Sequence, residues 1–117
     1  MLAKAYRLQR NSEFRYVYAR GRSAATPLLS LVQVKSGPPG CLRVGFSVSK
    51  KVGGAGVRNR VKRRLRAAFR ELLPQVTPGR KLIFVARPAA AEADYDKLRR
   101  DMRGLLRRAK LLRPGPQ

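Results

Sequence analysis

The sequence predicts an α+β fold: three helices packed on a small mixed sheet of about four strands, in the order α-β-β-β-α-β-α. Three observations carry this. Val57, Val61, Leu65, Ala68, Phe69 and Leu72 recur at helical spacing, and at 100° per residue they cover about 120° of arc. Val44, Phe46 and Val48 alternate strictly with Arg43, Gly45, Ser47 and Ser49, the period of a half-buried strand. Lys81–Ala86 is a short, nearly continuous apolar run, the pattern of a strand buried on both faces.

The elements follow in chain order. Asn11 or Ser12 is a suitable N-cap and Gly21 a suitable residue just past a helix end. Phe14, Val17 and Tyr18 recur between them, so the spacing predicts a first helix over 12–20. Ser23–Thr26 can add a short strand. Leu28–Lys35 is apolar and partly β-branched, and Ser36-Gly37-Pro38-Pro39-Gly40 after it has the composition of a turn. A hairpin between Leu28–Lys35 and Arg43–Ser49 is therefore expected. Lys50–Gly56 reads as a loop with two cations and three glycines, and Pro74 ends the helix that follows it. After the turn at Pro78-Gly79 comes the Lys81–Ala86 strand, which Pro88 stops. Asp94 can cap a last helix over 94–112, with Tyr95, Leu98, Met102, Leu105, Leu106, Ala109 and Leu112 as its apolar stripe and Arg99, Arg103 and Arg107 along its flank. Arg113–Gln117 reads as a flexible tail.

The chain has 117 residues, which fits a single domain over 1–117. Lys and Arg number 28 against 6 Asp and Glu, a formal net charge of +22. Self-repulsion on that scale opposes folding unless a polyanion relieves it. Lys stands at only eight positions and the other 20 cations are Arg, whose planar fork suits phosphate and stacks on bases. No apolar run approaches the ~18 residues of a membrane span, and the first residues lack a signal-peptide core. A membrane partner is not expected, and nucleic acid is. Seven cations stand between Arg58 and Arg70, at 58, 60, 62, 63, 64, 66 and 70, with Glu71 as the one nearby acid. Internal salt bridging cannot absorb them, and phosphate contact can.

The same composition excludes much catalytic chemistry. There is no His, hence no imidazole base, Ser-His triad or His-held metal. Cys41 is alone, so no intrachain disulfide or thiolate cluster forms; a small residue near a strand end is the plain reading, a reactive thiol the other. Glu92, Asp94, Asp96 and Asp101 either favour the positive end of the last helix or assemble a metal site. Gly53-Gly54-Ala55-Gly56 matches neither the dinucleotide nor the Walker phosphate loop. It is either a flexible loop or leaves the next helix N-terminus open to one phosphate. Phe14 and Tyr18 share a helix face one turn apart. They are either core residues or a stacking platform for unpaired bases.

Arg43-Val44-Gly45-Phe46-Ser47-Val48-Ser49-Lys50-Lys51, followed by Val57-Arg58-Asn59-Arg60-Val61-Lys62-Arg63, resembles the protein subunit of bacterial ribonuclease P. Arg58-Asn59-Arg60 stands as that family's RNR motif. Asn11–Tyr18 with Gly21 is similar to its first helix, and Leu82–Arg87 with Pro88-Ala89 to its last strand. The resemblance covers about positions 7 to 110. It implies a non-catalytic subunit of a ribonucleoprotein endonuclease that removes the 5′ leader of precursor tRNA, in the cytoplasm. A catalytic RNA subunit carries out the chemistry and holds Mg²⁺, and no DNA partner is expected. Phe14, Tyr18, Ser47, Arg58 and Lys62 are then expected to line a cleft for the single-stranded leader. Lys51, Asn59, Arg60, Arg63, Arg64 and Arg66 are expected to serve the RNA subunit. The resemblance also implies a left-handed β-α-β crossover, against the general right-handed rule. Val32 stands where relatives can carry a Tyr on the cleft floor, and Gly54 and Gly56 replace larger loop residues. A ribosomal or other structural RNA-binding protein is the alternative function, since it shares the charge and the small α+β fold.

Overall fold

The structure, a computed structural model, describes residues 6–35 and 42–113. The Ser36–Gly40 turn, Cys41 and the tail beyond Arg113 lie outside the described residues. The elements are α1 (Asn11–Arg20), β1 (Arg22–Ala25), β2 (Leu29–Lys35), β3 (Leu42–Ser47), α2 (Ala55–Leu72), β4 (Arg80–Ala86) and α3 (Tyr95–Arg108), with short 3₁₀ turns at Leu73–Gln75 and Pro88–Glu92. The predicted α+β order is thus present, with each element within a few residues of its expected bounds.

The sheet order is β1-β2-β4-β3. β1 and β2 form an antiparallel hairpin. Thr26 closes it, because its Oγ1 accepts from the N–H groups of Leu28 and Leu29 at 3.2 and 3.0 Å. β2 and β3 do not pair with each other, contrary to the hairpin expected from the sequence. β4 lies between them, antiparallel to β2 and parallel to β3. The reason is burial. Leu82, Ile83 and Phe84 are fully buried, and a strand apolar on both faces is most stable at the centre of a sheet covered on both sides.

Two cores follow from the pleat. Leu82, Phe84 and Ala86 face a large core with Leu29, Leu31, Val44, α2 and α3. Phe46, Phe69 and Phe84 meet there with ring centroids 6.2, 6.1 and 6.0 Å apart, within the range of favourable aromatic pairs. Ile83 faces the other way, into a small core with Leu8, Val17 and Val32 under α1. The molecule is therefore layered as α1, sheet, then α2 with α3. Val32 is only 8% exposed, so it fills the space beneath α1 and offers no stacking surface.

Both ends of α1 differ from expectation. Arg10 holds the N-cap position without a side-chain bond, and Asn11 is already helical. The preceding chain runs along β3, with Arg7 bridging Val44 and Leu8 N–H donating to Val44 O at 2.9 Å. That docking sets where the helix begins. Gly21 has φ −80°, so it is not a left-handed cap. A Cβ there would lie 2.5 Å from Val17 O and 2.7 Å from Val32 Cγ1. Glycine is needed for close approach of α1 to β2, not for its backbone freedom.

α3 stops at Arg108, four residues short of the expected end. Leu111 N–H donates to Leu106 O at 2.9 Å and Lys110 N–H to Arg107 O at 3.0 Å, the paired bonds of a Schellman terminus. Lys110 sits at its left-handed position with φ 60°, a place glycine usually fills. The chain then turns back, and Leu112 bridges Val76.

Candidate nucleic-acid interface

α2 begins without a side-chain cap and without an acid in its first turn. Space above Gly54 and Gly56 is open, with no atom within 4 Å of a Cβ built on either. The first-turn N–H groups, which have no intrahelical acceptor, are thus accessible to an anion. Lys51 is exposed in the preceding turn, where its N–H donates to Ser49 Oγ at 3.3 Å. Buried Val48 and Val52 pin this loop to the core.

The helix divides its cations between two flanks. Gly56, Asn59, Lys62, Arg63 and Arg66 line one groove. Arg60 and Arg64, one turn apart, point the other way. Arg60 Nη2 donates to Ala91 O at 3.3 Å, and Arg64 Nη1 donates to Ala93 O at 2.9 Å. These bonds tie α2 to the segment leading into α3, so part of each guanidinium already has an internal task. Arg58 is half-buried, and its Nε, like that of Arg66, is shielded from solvent with no acceptor among the described residues.

Glu71 does not neutralise this cationic run. It pairs with Arg99 of α3 at 3.0 Å and accepts from the Tyr95 hydroxyl. Burial, together with the hydrogen bond and charge of Glu71, pushes the Tyr95 phenol up to about 12. A folded-state value raised above the ordinary ~10 favours the protonated phenol. The stability linked to it is therefore complete below pH ~10 and is lost as pH rises towards ~12. In Glu71→Gln the ultraviolet phenolate titration of Tyr95 is expected to move back towards ~10. An unmoved curve would show that burial alone sets it. Because both members of the Glu71–Arg99 pair are well exposed, the stability lost is expected to be under ~1 kcal/mol.

Phe14 and Tyr18 stand on the opposite side of the sheet. The Phe14 ring lies directly over Gly45, where a Cβ would be 2.5 Å from Phe14 Cζ and 2.6 Å from Cε1. Tyr18 is 45% exposed and Phe14 is half-buried. Neither alternative for this pair holds alone: Phe14 rests on the small core, while Tyr18 presents its ring to solvent. Ser47 follows Gly45 on the same face, in the row Ser30–Val85–Ser47 across β2, β4 and β3, and all three are half-buried. Among the described residues no hydrogen bond, ion pair or ring contact joins Phe14 or Tyr18 to Arg58 or Lys62. Their link is the end of β3, which carries Ser47 and leads through the Val48–Gly54 loop into α2. Sequence reasoning overlooked Tyr16, which is 48% exposed with Lys81 Nζ 5.8 Å from its ring centroid. Its exposure follows from lying outside the Phe14–Val17 contact face.

The acids have structural tasks or lie apart. Asp94 caps α3, accepting from Lys97 N–H at 2.8 Å, as the sequence predicts. Among the described residues no three of His, Cys, Asp and Glu gather to hold a metal ion. No helix among them is long and apolar enough to cross a membrane.

The family model described as Ribonuclease P matches residues 2–110. Among curated relatives, the "Ribonuclease P protein component" of Chloroflexus aurantiacus is 44% identical over 98% of this chain and 84% of its own length. That of Symbiobacterium thermophilum is 42% identical over 95% and 96%, and that of Listeria innocua 35% over 98% and 97%. Among solved structures, a Staphylococcus aureus RNase P protein mutant with defective mRNA degradation activity has a TM-score of 0.86 at 30% identity, covering 93% of this chain and 92% of that one. The RNase P protein from Thermotoga maritima gives 0.79 at 25% identity, covering 87% and 96%. Fold and length agree, and the chain belongs to the ribonuclease P protein family, the protein components of the ribonucleoprotein endonuclease that matures tRNA 5′ ends.

Proposed function

We propose that this protein, acting as one domain in the cytoplasm, binds the catalytic RNA of ribonuclease P through α2 and holds the single-stranded 5′ leader of precursor tRNA against α1 and β3. The observation that carries the reading is the uncompensated cationic groove of Asn59, Lys62, Arg63 and Arg66 at a helix whose N-terminus is open. Lys51 extends that surface, the outward part of the Arg60 guanidinium offers a contact on the other flank, and Arg64 mainly braces the helix against the segment leading into α3. Phe14, Tyr18 and Ser47 form the leader face, with Arg58 and Lys62 reached around the end of β3. Tyr18 supplies an exposed ring for a base, and Phe14 supports the floor.

Mg²⁺ is held by the RNA subunit in this reading. The described protein residues supply no carboxylate cluster for it, and metal-assisted hydrolysis needs converging acidic ligands or phosphates. The protein's contribution is electrostatic: it lowers repulsion between leader and catalytic RNA, so less Mg²⁺ is needed for the same occupancy. The test is cleavage of leader-bearing precursor tRNA by the RNA subunit at low Mg²⁺, with and without the protein. Stimulation that fades at high Mg²⁺ is expected. Absence of stimulation at any Mg²⁺ concentration would refute the reading, and stoichiometric co-sedimentation with ribosomes would favour a structural RNA-binding role instead.

A further inference from the structure

At the sheet edge opposite β3, a second basic concavity lies apart from the α2 groove. One hollow lies between β1, β2 and the end of α3; a second lies between the end of α1, β2, β4 and the same end of α3. They share Arg22, Gln33, Ala109 and Lys110 and so form one continuous groove. Its charged lining is Arg20, Arg22, Lys35, Arg80, Arg108 and Lys110, with no acid among the lining residues. Neither ion pair of the described residues involves any of these six cations. Among the described residues, Arg108 alone of the six has a side-chain hydrogen bond, from Nη1 to Ala25 O at 3.1 Å, which fastens the end of α3 to the edge strand.

Lys110 is the second observation. It occupies the left-handed position of the helix terminus with φ 60°, where a side chain is disfavoured and glycine is the ordinary choice. The residue placed there is a cation, and it lines both hollows. A position with a structural preference for glycine thus carries charge into a groove that already holds five like charges. That arrangement is unfavourable alone and favourable against closely spaced negative charge. Ser23 and Gln33 add neutral hydrogen-bonding groups. The apolar lining is Ala24, Leu31, Val34 and Ala109; Leu31 is 1% exposed and Val34 is half-buried, so the groove has little to insert into a lipid surface.

We propose that this groove is a second phosphate-backbone site, taking a folded segment of the catalytic RNA separate from the one on α2. The inference rests on the reading of the chain as the protein subunit of ribonuclease P. The protein then bridges two RNA segments, one on the α2 flank and one where β1 meets the end of α3.

The test is the salt dependence of binding between the full-length protein and a transcript of ribonuclease P RNA. Arg22→Ala/Lys35→Ala/Lys110→Ala is expected to lower the slope of log K against log salt by about 2–3, with binding of a single-stranded leader oligonucleotide unchanged. Lys110→Gly alone is expected to keep or raise the melting temperature while lowering the slope by about 1, which separates lost contact from lost fold. An unchanged slope in both variants, while Lys62→Ala/Arg63→Ala/Arg66→Ala lowers its own, overturns the second site and leaves the subunit reading intact. If the α2 variant also leaves RNA binding unchanged, the subunit reading itself fails. Loss of binding to anionic vesicles with no change on RNA would overturn the proposal in favour of a membrane surface.

Discussion

Lys62→Ala/Arg63→Ala/Arg66→Ala is expected to flatten the salt dependence of binding to ribonuclease P RNA by about 3, one for each phosphate contact removed. The expectation rests on geometry more than on charge count. These three cations share one groove with Asn59 and Gly56, have no ion-pair partner among the described residues, and lie beside a helix N-terminus that no side chain caps. Arg60→Ala is the informative contrast. Part of its guanidinium already donates to Ala91 O, so its slope change is expected to be no more than about 1, despite its place in the Arg58-Asn59-Arg60 motif. The melting temperature of the triple variant is expected to hold or rise, because removing like charges relieves self-repulsion. A slope equal to the parent's would show that the groove is solvated surface and that binding lies elsewhere.

Periodicity made most of this molecule legible from sequence. The apolar stripe from Val57 to Leu72 marks the helix and its buried face, and places the uncompensated charge on the other side. Asp94 was legible as a cap because a carboxylate at that position has a local physical task. What could not be read depends on contacts between distant segments. The alternation of Val44, Phe46 and Val48 marks a strand but does not say which neighbour it takes, and β4 enters between β2 and β3 because of burial on both faces. Nothing local distinguishes Gly21 as a packing glycine from Gly21 as a helix cap. Arg60 and Arg64 look like any exposed cations until the Pro88–Ala93 segment passes beside them with free carbonyls. The end of α3 was misplaced for a related reason: no glycine marks it, since Lys110 takes the left-handed position that glycine would have signalled.

The Phe14 ring over Gly45 gives the second large expectation, and it is one that neither residue reveals alone. Gly45→Val places methyl groups where the ring now sits; even a Cβ would be 2.5 Å from it. The far edge of Phe14 can swing aside, so the protein is expected to fold, with a loss of about 1–3 kcal/mol from overpacking. The displaced ring disturbs the leader face, and Gly45→Val should therefore lose preference for leader-bearing precursor over mature tRNA. Phe14→Ala should lose the same preference by ~1–3 kcal/mol if a base stacks on this face. The decisive measurement is the double-mutant cycle. With the ring gone, the two closest contacts of a Cβ at position 45 disappear and Leu8 Cδ1 at 3.3 Å remains, so the stability cost of Gly45→Val in the Phe14→Ala background should fall markedly, a strong coupling between contacting residues. Additive losses would mean that Gly45 is required for a reason other than the ring. Equal loss for precursor and mature tRNA in Phe14→Ala, together with a lowered melting temperature, would make Phe14 a support for α1 and leave Tyr18 as the ring that meets the leader.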